Sequence, residues 1–290
     1  MLNFIVPVVG RDINGARAWL QYGNFRLQPS EFMKLAVVLF CADFLSKRHK
    51  YVAVHEKVLR PMLMVLGVTA GLCGLQKDYG TALVFIAIVL SLMVFAGIPR
   101  RQLGYSIAAV GVAGALVLLK ADNASKRLFA YLNLAETKRL DGYQVYQSLL
   151  SIANGGVGGT GIGSGTSKWG YVPLAYSDFV FAVIGEELGL LGTLTVCLVW
   201  LFVYRCGISV LNATSQRSFR WITGTTLLTQ LALQAMANIA VVTALVPPKG
   251  VPHPFISYGG TNLLVSLVAI GLILGPAEQH TSSTDIQSNR

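Results

Sequence analysis

Charge is what this sequence has least of. Only 12% of its 290 residues are Asp, Glu, Lys or Arg, and just 13 are acidic, where an average soluble domain carries about 25% charged residues. With 53% hydrophobic residues, there is too little polar surface to cover a soluble domain of this size, so the chain belongs in a bilayer. No soluble-like block interrupts the apolar stretches, and the expectation is one membrane domain over residues 1–275 followed by a polar cytoplasmic tail over 276–290. Cysteine is also sparse. Cys41, Cys73, Cys197 and Cys206 lie in or beside apolar segments without CxxC spacing, which implies neither a disulfide framework nor a zinc site. The start lacks a basic region and a small-residue cleavage site, so it is a poor signal peptide. Its apolar residues 2–9 reach only about 12 Å as a helix and read as the tail of a partial one.

What the chain has is long apolar runs and a basic excess. The net charge of +10 suits cytoplasmic loops and anionic headgroups rather than nucleic acid. Apolar stretches run over residues 32–46, 61–76, 80–98, 103–119, 179–204, 221–246 and 261–274. They predict an all-α, polytopic helix bundle of seven transmembrane spans plus the partial N-terminal one. Several fall short of the roughly 20 residues a span needs, so their polar flanks should continue the helix. Lys47, Arg48, Lys50, Lys57 and Arg60, then Arg100 and Arg101, then Arg205, Arg217 and Arg220 fall on loops of one face, which is therefore the cytoplasmic one. The long loop at about 120–178, the segment at 12–31 and the turns at 76–80 and 246–258 share the opposite, extracytoplasmic face. ATP and nucleotide sugars are thereby excluded as direct substrates.

Candidate residues cluster on that outer face. Asp178 sits where a polar loop meets the longest apolar run; it is either a helix N-cap or a reactive carboxylate. On a continuous helix Ala182, Gly185, Gly189 and Gly192 would share its stripe, and small residues let another helix pack closely. Glu186 and Glu187 lie deeper, where an ionised side chain needs a polar cavity or a partner. Arg26, Gln28, Glu31 and Lys34 open another helix at Pro29; Glu31 with Lys34 makes a surface ion pair on the plain reading, and Asp178 is an alternative partner for Lys34. The run Gly155–Gly165 holds seven glycines. It lacks the context of a dinucleotide fingerprint and reads as a flexible loop whose amides can approach a pyrophosphate. The stretch 246–260 is rich in proline and glycine and offers Lys249, His253 and Ser257; His253, between two prolines, reads as structural. Backbone this irregular must line a cavity or be buried against protein.

Three blocks together, NGARAWLQYGNFRLQPSEFMKLAVV (14–38), the segment 143–192 with YSDFVFAVIGEELGLLG, and PPKGVPHPFISYGG (247–260), resemble the shape, elongation, division and sporulation (SEDS) family of cell-wall glycosyltransferases. QKDYGTAL (76–83) is a weaker fourth. The wording IGEELG and PPKG is nearest the division and sporulation branch. The resemblance implies ten helices, of which the first two and most of the third are not represented here. It further implies polymerisation of lipid II on the outer face of the bacterial inner membrane, for septal wall synthesis. The implied partners are a class B penicillin-binding protein transpeptidase and other divisome proteins. Asp178 matches the family's essential aspartate, Lys34 its aspartate-pairing lysine, and Arg26, Gln28 and Glu31 further functional positions. His253 departs from the pattern by standing where a more apolar residue is usual.

Asp178 then acts as general base on the acceptor's 4-hydroxyl. A free aspartate, with a pKa near 3.9, is a weak base and needs desolvation or orientation to serve. Lys34 positions the carboxylate or meets developing pyrophosphate charge, and a divalent cation, Mg or Mn, is the open alternative for that task. A lipid II flippase lined by Glu186, Glu187 and Lys34, and a non-enzymatic divisome scaffold, are the rival functions.

Overall fold

The computed structural model describes residues 10–13, 16–22, 25–120, 129, 131–137, 142–169, 172–173 and 175–288. The expected partial helix at 2–9 lies outside them. Each of the seven expected spans is a helix: α1 (Pro29–Lys47), α2 (Arg60–Leu75), α3 (Tyr79–Phe95), α4 (Arg100–Lys120), then, after an amphipathic α5 (Tyr143–Gly155), α6 (Val180–Leu211), α7 (Phe219–Val242) and α8 (Gly260–Ser288). Among the described residues, three helices are long and apolar enough to cross a membrane on length and composition alone: His55–Leu75, α6 and α7. α3 and the Gly260–Gly275 part of α8 are apolar but shorter. The polar flanks continue the helices as expected. α4 begins on Arg100, and α8 runs on to Ser288.

Before α1, in the segment to which the sequence reading assigns no secondary structure, the chain forms a small antiparallel sheet in the order β1 (Gly10–Ile13), β2 (Ala16–Tyr22), β3 (Phe25–Leu27). Ile13 pairs with Ala16 and Tyr22 with Phe25, so two residues separate each strand from the next. The sequence there reads Asn14-Gly15 and Gly23-Asn24, dipeptides that short hairpin loops favour.

The described chain gathers into two compact units. The first comprises Met1–Ala108, Tyr204–Leu231 and Gly260–Arg290; the second comprises Ala109–Val203 and Ala232–Gly259. In the first, Val38, Cys41 and Leu45 of α1, Met62 and Leu66 of α2, and Phe85, Ile88 and Leu92 of α3 are buried, as are Leu227 and Leu228 of α7. Asp78 caps α3, accepting from the Thr81 amide at 3.0 Å and the Thr81 hydroxyl at 2.7 Å, which satisfies two donors that the first turn leaves open. Phe95 meets Trp221 edge to face at 5.7 Å between centroids. The second unit has its own core, in which Val145, Val172, Ala175, Phe179, Phe181, Ala182, Val241 and Val242 pack together. Phe179 and Phe181 thus pin down the chain on the C-terminal side of Asp178.

Candidate active site

The first unit holds four of the sequence-predicted residues. Arg26 lies in β3, its backbone paired with Gln21. Gln28 donates from Nε2 to Asp78 Oδ2 at 3.4 Å, joining the first family-like block to the weaker QKDYGTAL one. Lys34 Nζ stands 2.8 Å from Glu31 Oε2 with both side chains almost fully buried. The expected surface ion pair is therefore an interior one, and its two charges must support each other where water cannot.

In the second unit Asp178 does not stand on a helix. It falls in the turn just before α6, so it cannot head the expected continuous stripe of small residues. Three successive carbonyls of this turn are held in place. Tyr176 O accepts from the Tyr258 amide at 2.8 Å, Ser177 O from the Ser257 hydroxyl, and Asp178 O from Asn238 Nδ2 at 2.7 Å. The proline-rich segment approaches from the other side. A Cβ on Gly250 would come within 2.9 Å of Asp178 Oδ2, so a side chain there would crowd the carboxylate and only glycine lets the backbone this close. Lys249 precedes it, with its carbonyl accepting from the Val251 amide at 2.9 Å. Ser257 has a bridging role, because its hydroxyl donates to Ser177 O while accepting from the His253 amide at 2.7 Å. His253 is fully buried, its ring 5.7 Å from Trp200. Its Nδ1 lies 3.0 Å from Pro254 O; a carbonyl only accepts, so Nδ1 carries the proton. Burial holds this imidazole below the ordinary histidine range, with the bond to Pro254 acting the other way.

Of the two sequence readings, a polar cavity or a hydrogen-bonded partner, Glu186 and Glu187 follow the second. The Glu186 carboxylate accepts from the Thr166 amide and hydroxyl at 3.0 and 2.9 Å, from the Ser167 amide at 3.0 Å, and from the Ser167 hydroxyl. Glu187 accepts from the amides of Gly163 and Gly165 at 3.0 and 3.3 Å. These amides of the glycine-rich segment, expected to be free to approach a pyrophosphate, are taken by the chain's own carboxylates. The segment also repairs α6, which is broken at Gly189 (φ 65°, ψ −158°). The Glu186 and Glu187 carbonyls on one side of the break accept from the Thr160 and Gly161 amides at 2.9 and 3.0 Å. On the other side the Leu190 and Leu191 amides donate to Gly156 O and Val157 O at 2.9 and 3.3 Å. Backbone groups freed inside an apolar helix need partners of this kind.

Among the described residues no group of three or more His, Cys, Asp or Glu comes together to hold a metal ion. The groups held against the Asp178 turn are the Asn238 amide, the Ser257 hydroxyl, the Tyr258 backbone amide and the Gly250 backbone, which add no second carboxylate, whereas Mg is ordinarily held by one or two carboxylates together with substrate phosphates. Sequence reasoning passed over Asn238, Gly250 and Ser177, whose backbone carbonyl anchors the turn. Only the close spacing of Pro and Gly signalled that the 246–260 stretch would approach another part of the chain.

A family model described as "Cell cycle protein", FTSW_RODA_SPOVE, matches residues 1–282. The chain is 39% identical over 279 residues to the probable peptidoglycan glycosyltransferase FtsW of Coxiella burnetii, spanning 93% of this chain and 73% of that one. It is 33% identical over 271 residues to the stage V sporulation protein E of Bacillus subtilis, spanning 93% and 74%. Among solved structures, a chain from a peptidoglycan synthase complex that coordinates polymerization and crosslinking superposes with a TM-score of 0.76 at 27% identity, covering 94% of this chain and 76% of that one. The crystal structure of the rod shape determining protein RodA of Thermus thermophilus gives 0.64 at 26%, covering 94% and 73%. With its helical, multi-pass membrane architecture and a family match over almost its whole length, this chain belongs to the FtsW/RodA/SpoVE family of cell cycle proteins.

Proposed function

We propose that the chain is a peptidoglycan glycosyltransferase that polymerises lipid II into β-1,4 glycan strands on the outer face of the bacterial inner membrane, in septal wall synthesis, with Asp178 as its general base. The observation that carries this reading is the anchored turn: three consecutive carbonyls at Tyr176, Ser177 and Asp178 are tied to the chain's own donors, and glycine backbone stands beside the carboxylate. A carboxylate whose backbone is held from three sides is set for one proton-transfer geometry. The relatives' names supply the reaction class.

In this mechanism Asp178 takes the proton of the acceptor sugar's 4-hydroxyl as that oxygen attacks the anomeric carbon of the lipid-pyrophosphate donor. The bond from that carbon to the pyrophosphate oxygen breaks, the pyrophosphate leaves with the electron pair, and the α-linked donor becomes a β-linked residue. Lys249, in the segment that approaches Asp178, is assigned to the negative charge that builds on the leaving group. Ser257 holds the turn. Lys34, Glu31, Arg26 and Gln28 take the substrate-supporting roles of the matching family positions. A class B penicillin-binding protein transpeptidase is the proposed partner, because the solved relative belongs to a complex that joins polymerization to crosslinking. The flippase reading is weaker, since Glu186 and Glu187, on which its headgroup path depends, are occupied by the glycine-rich segment.

The test is glycan-strand formation from purified lipid II by the chain with its transpeptidase partner. Asp178→Ala should lower the rate at least about 100-fold, the smaller end of what a general base contributes, while the protein purifies and melts as the parent does. Full activity in a folded Asp178→Ala protein would end the base assignment, and a scaffold or flippase would then be the better account.

A further inference from the structure

Asn238 lies on α7 in the apolar run ALQAMANIAVV, where nothing in the local sequence asks for an amide. Its side chain is fully buried. Nδ2 donates one hydrogen to Asp178 O at 2.7 Å and the other to Val251 O at 2.8 Å. Both partners are carbonyls, so the amide can face them only with its nitrogen and its orientation is fixed. Its Oδ1 has no partner among the described residues. A buried amide with one end unmet costs stability that a leucine of similar volume would not, so its persistence here calls for a return in geometry. One turn earlier Gln234 reaches the same segment, donating to Pro252 O at 3.1 Å. Gln234 thus ties the proline-rich segment to α7 at a second point. Asn238 grips the Asp178 turn as well.

From this geometry, and resting on the reading of Asp178 as the base, we infer that Asn238 is a positioning residue. It locks the peptide of Asp178 to the peptide of Val251, and so sets the carboxylate against Gly250. Ser257 and Tyr258 hold the two residues before Asp178, whereas Asn238 holds Asp178 itself. With no exposed surface it touches no substrate and acts through the two peptides it joins. Without it, the Asp178 and Val251 carbonyls each lose this donor and the Asp178 end of the turn loses its tie to α7. A displacement of about 1 Å at a reacting group lowers a rate roughly 100-fold.

The experiment compares the parent with Asn238→Ala, Asn238→Leu and Asp178→Ala in steady-state polymerisation of lipid II by the complex with its transpeptidase, alongside thermal melting. The positioning role predicts that kcat falls about 100-fold in both Asn238 variants while KM stays within about threefold, because ground-state binding is untouched. Asn238→Leu keeps the bulk of the side chain but takes a donor from two carbonyls, so its melting temperature should fall by several degrees while the protein still purifies. A kcat within about threefold of the parent, or a loss expressed entirely in KM, would overturn the inference. So would variants that melt far below the parent or fail to purify, since Asn238 would then be a folding residue. Asp178→Ala separates the two ideas: if it is active the base assignment falls, and if it is inactive while both Asn238 variants run at full rate only the positioning role falls.

Discussion

The imidazole of His253 is fully buried beside Trp200 and already donates from Nδ1 to Pro254 O, so a second proton would sit on Nε2, which has no acceptor among the described residues. The ring lies in the segment between α7 and α8, and burial lowers its pKa. The direction of the linkage follows. A base with a lowered folded pKa binds fewer protons in the native state than in the unfolded one, so its contribution to stability is whole above the unfolded value near 6.5 and is lost as pH falls below it. We expect the melting temperature of the parent to drop as pH falls below about 6.5, and that component to be missing in His253→Leu. Equal pH profiles for the two proteins would show that the imidazole is not buried as described. Because the His253 amide holds Ser257, and Ser257 holds the carbonyl next to Asp178, activity should fall in the same pH window. The site is therefore sensitive to a residue that takes no part in the chemistry.

At the scale of elements, the broken helix α6 and the glycine-rich segment form one device. Gly155 lies so close to α6 that an added Cβ would fall 1.9 Å from the Gly185 carbonyl oxygen, while Gly158 has open space around its own. Gly155→Ala should therefore destabilise the protein by about 1–3 kcal/mol or more, as overpacking against backbone does, and Gly158→Ala should melt like the parent. Thermal unfolding of the two variants in the same detergent checks this. If both behaved alike, the segment would not be seated on the helix. The contrast explains what was legible in advance. Seven helices could be read because hydropathy over about 20 residues is a local property. The sheet before α1 was missed although Asn14-Gly15 and Gly23-Asn24 are turn signals, because the strands between them are short and a charged outer segment reads as loop. The break at Gly189 gave no sign, since glycine is common in membrane helices. The position of Asp178 ahead of its helix could be approached from sequence, but its anchors could not. Asn238, Gly250 and Ser257 come from distant parts of the chain, and no spacing rule connects them.

For the molecule as a whole, the remaining question is which side of the bilayer the chemistry faces. The connections between α1 and α2 and between α6 and α7 carry Lys50, Lys57 and Arg217, and α4 opens on Arg100 and Arg101, with Lys57 over Tyr51 at 4.1 Å and Arg48 over Phe44 at 4.0 Å. Cation and aromatic together suit a headgroup layer, and a basic set of short loops marks the cytoplasmic side. On the proposed topology, in which consecutive spans alternate in direction, the α7–α8 connection and the glycine-rich segment face the other side. Placement can be measured by single cysteines in a background lacking Cys41, Cys73, Cys197 and Cys206. Ile162→Cys, at a site 84% exposed, should react with a membrane-impermeant maleimide in intact spheroplasts. Lys50→Cys should react only after permeabilisation. The reverse pattern would put the Asp178 turn in contact with the cytoplasm, where nucleotide sugars are at hand. A lipid-pyrophosphate donor would then no longer be required by topology. The expected pattern leaves as donors only sugars that have already crossed the membrane on a lipid carrier, and a leaving group that remains anchored beside the enzyme after each transfer.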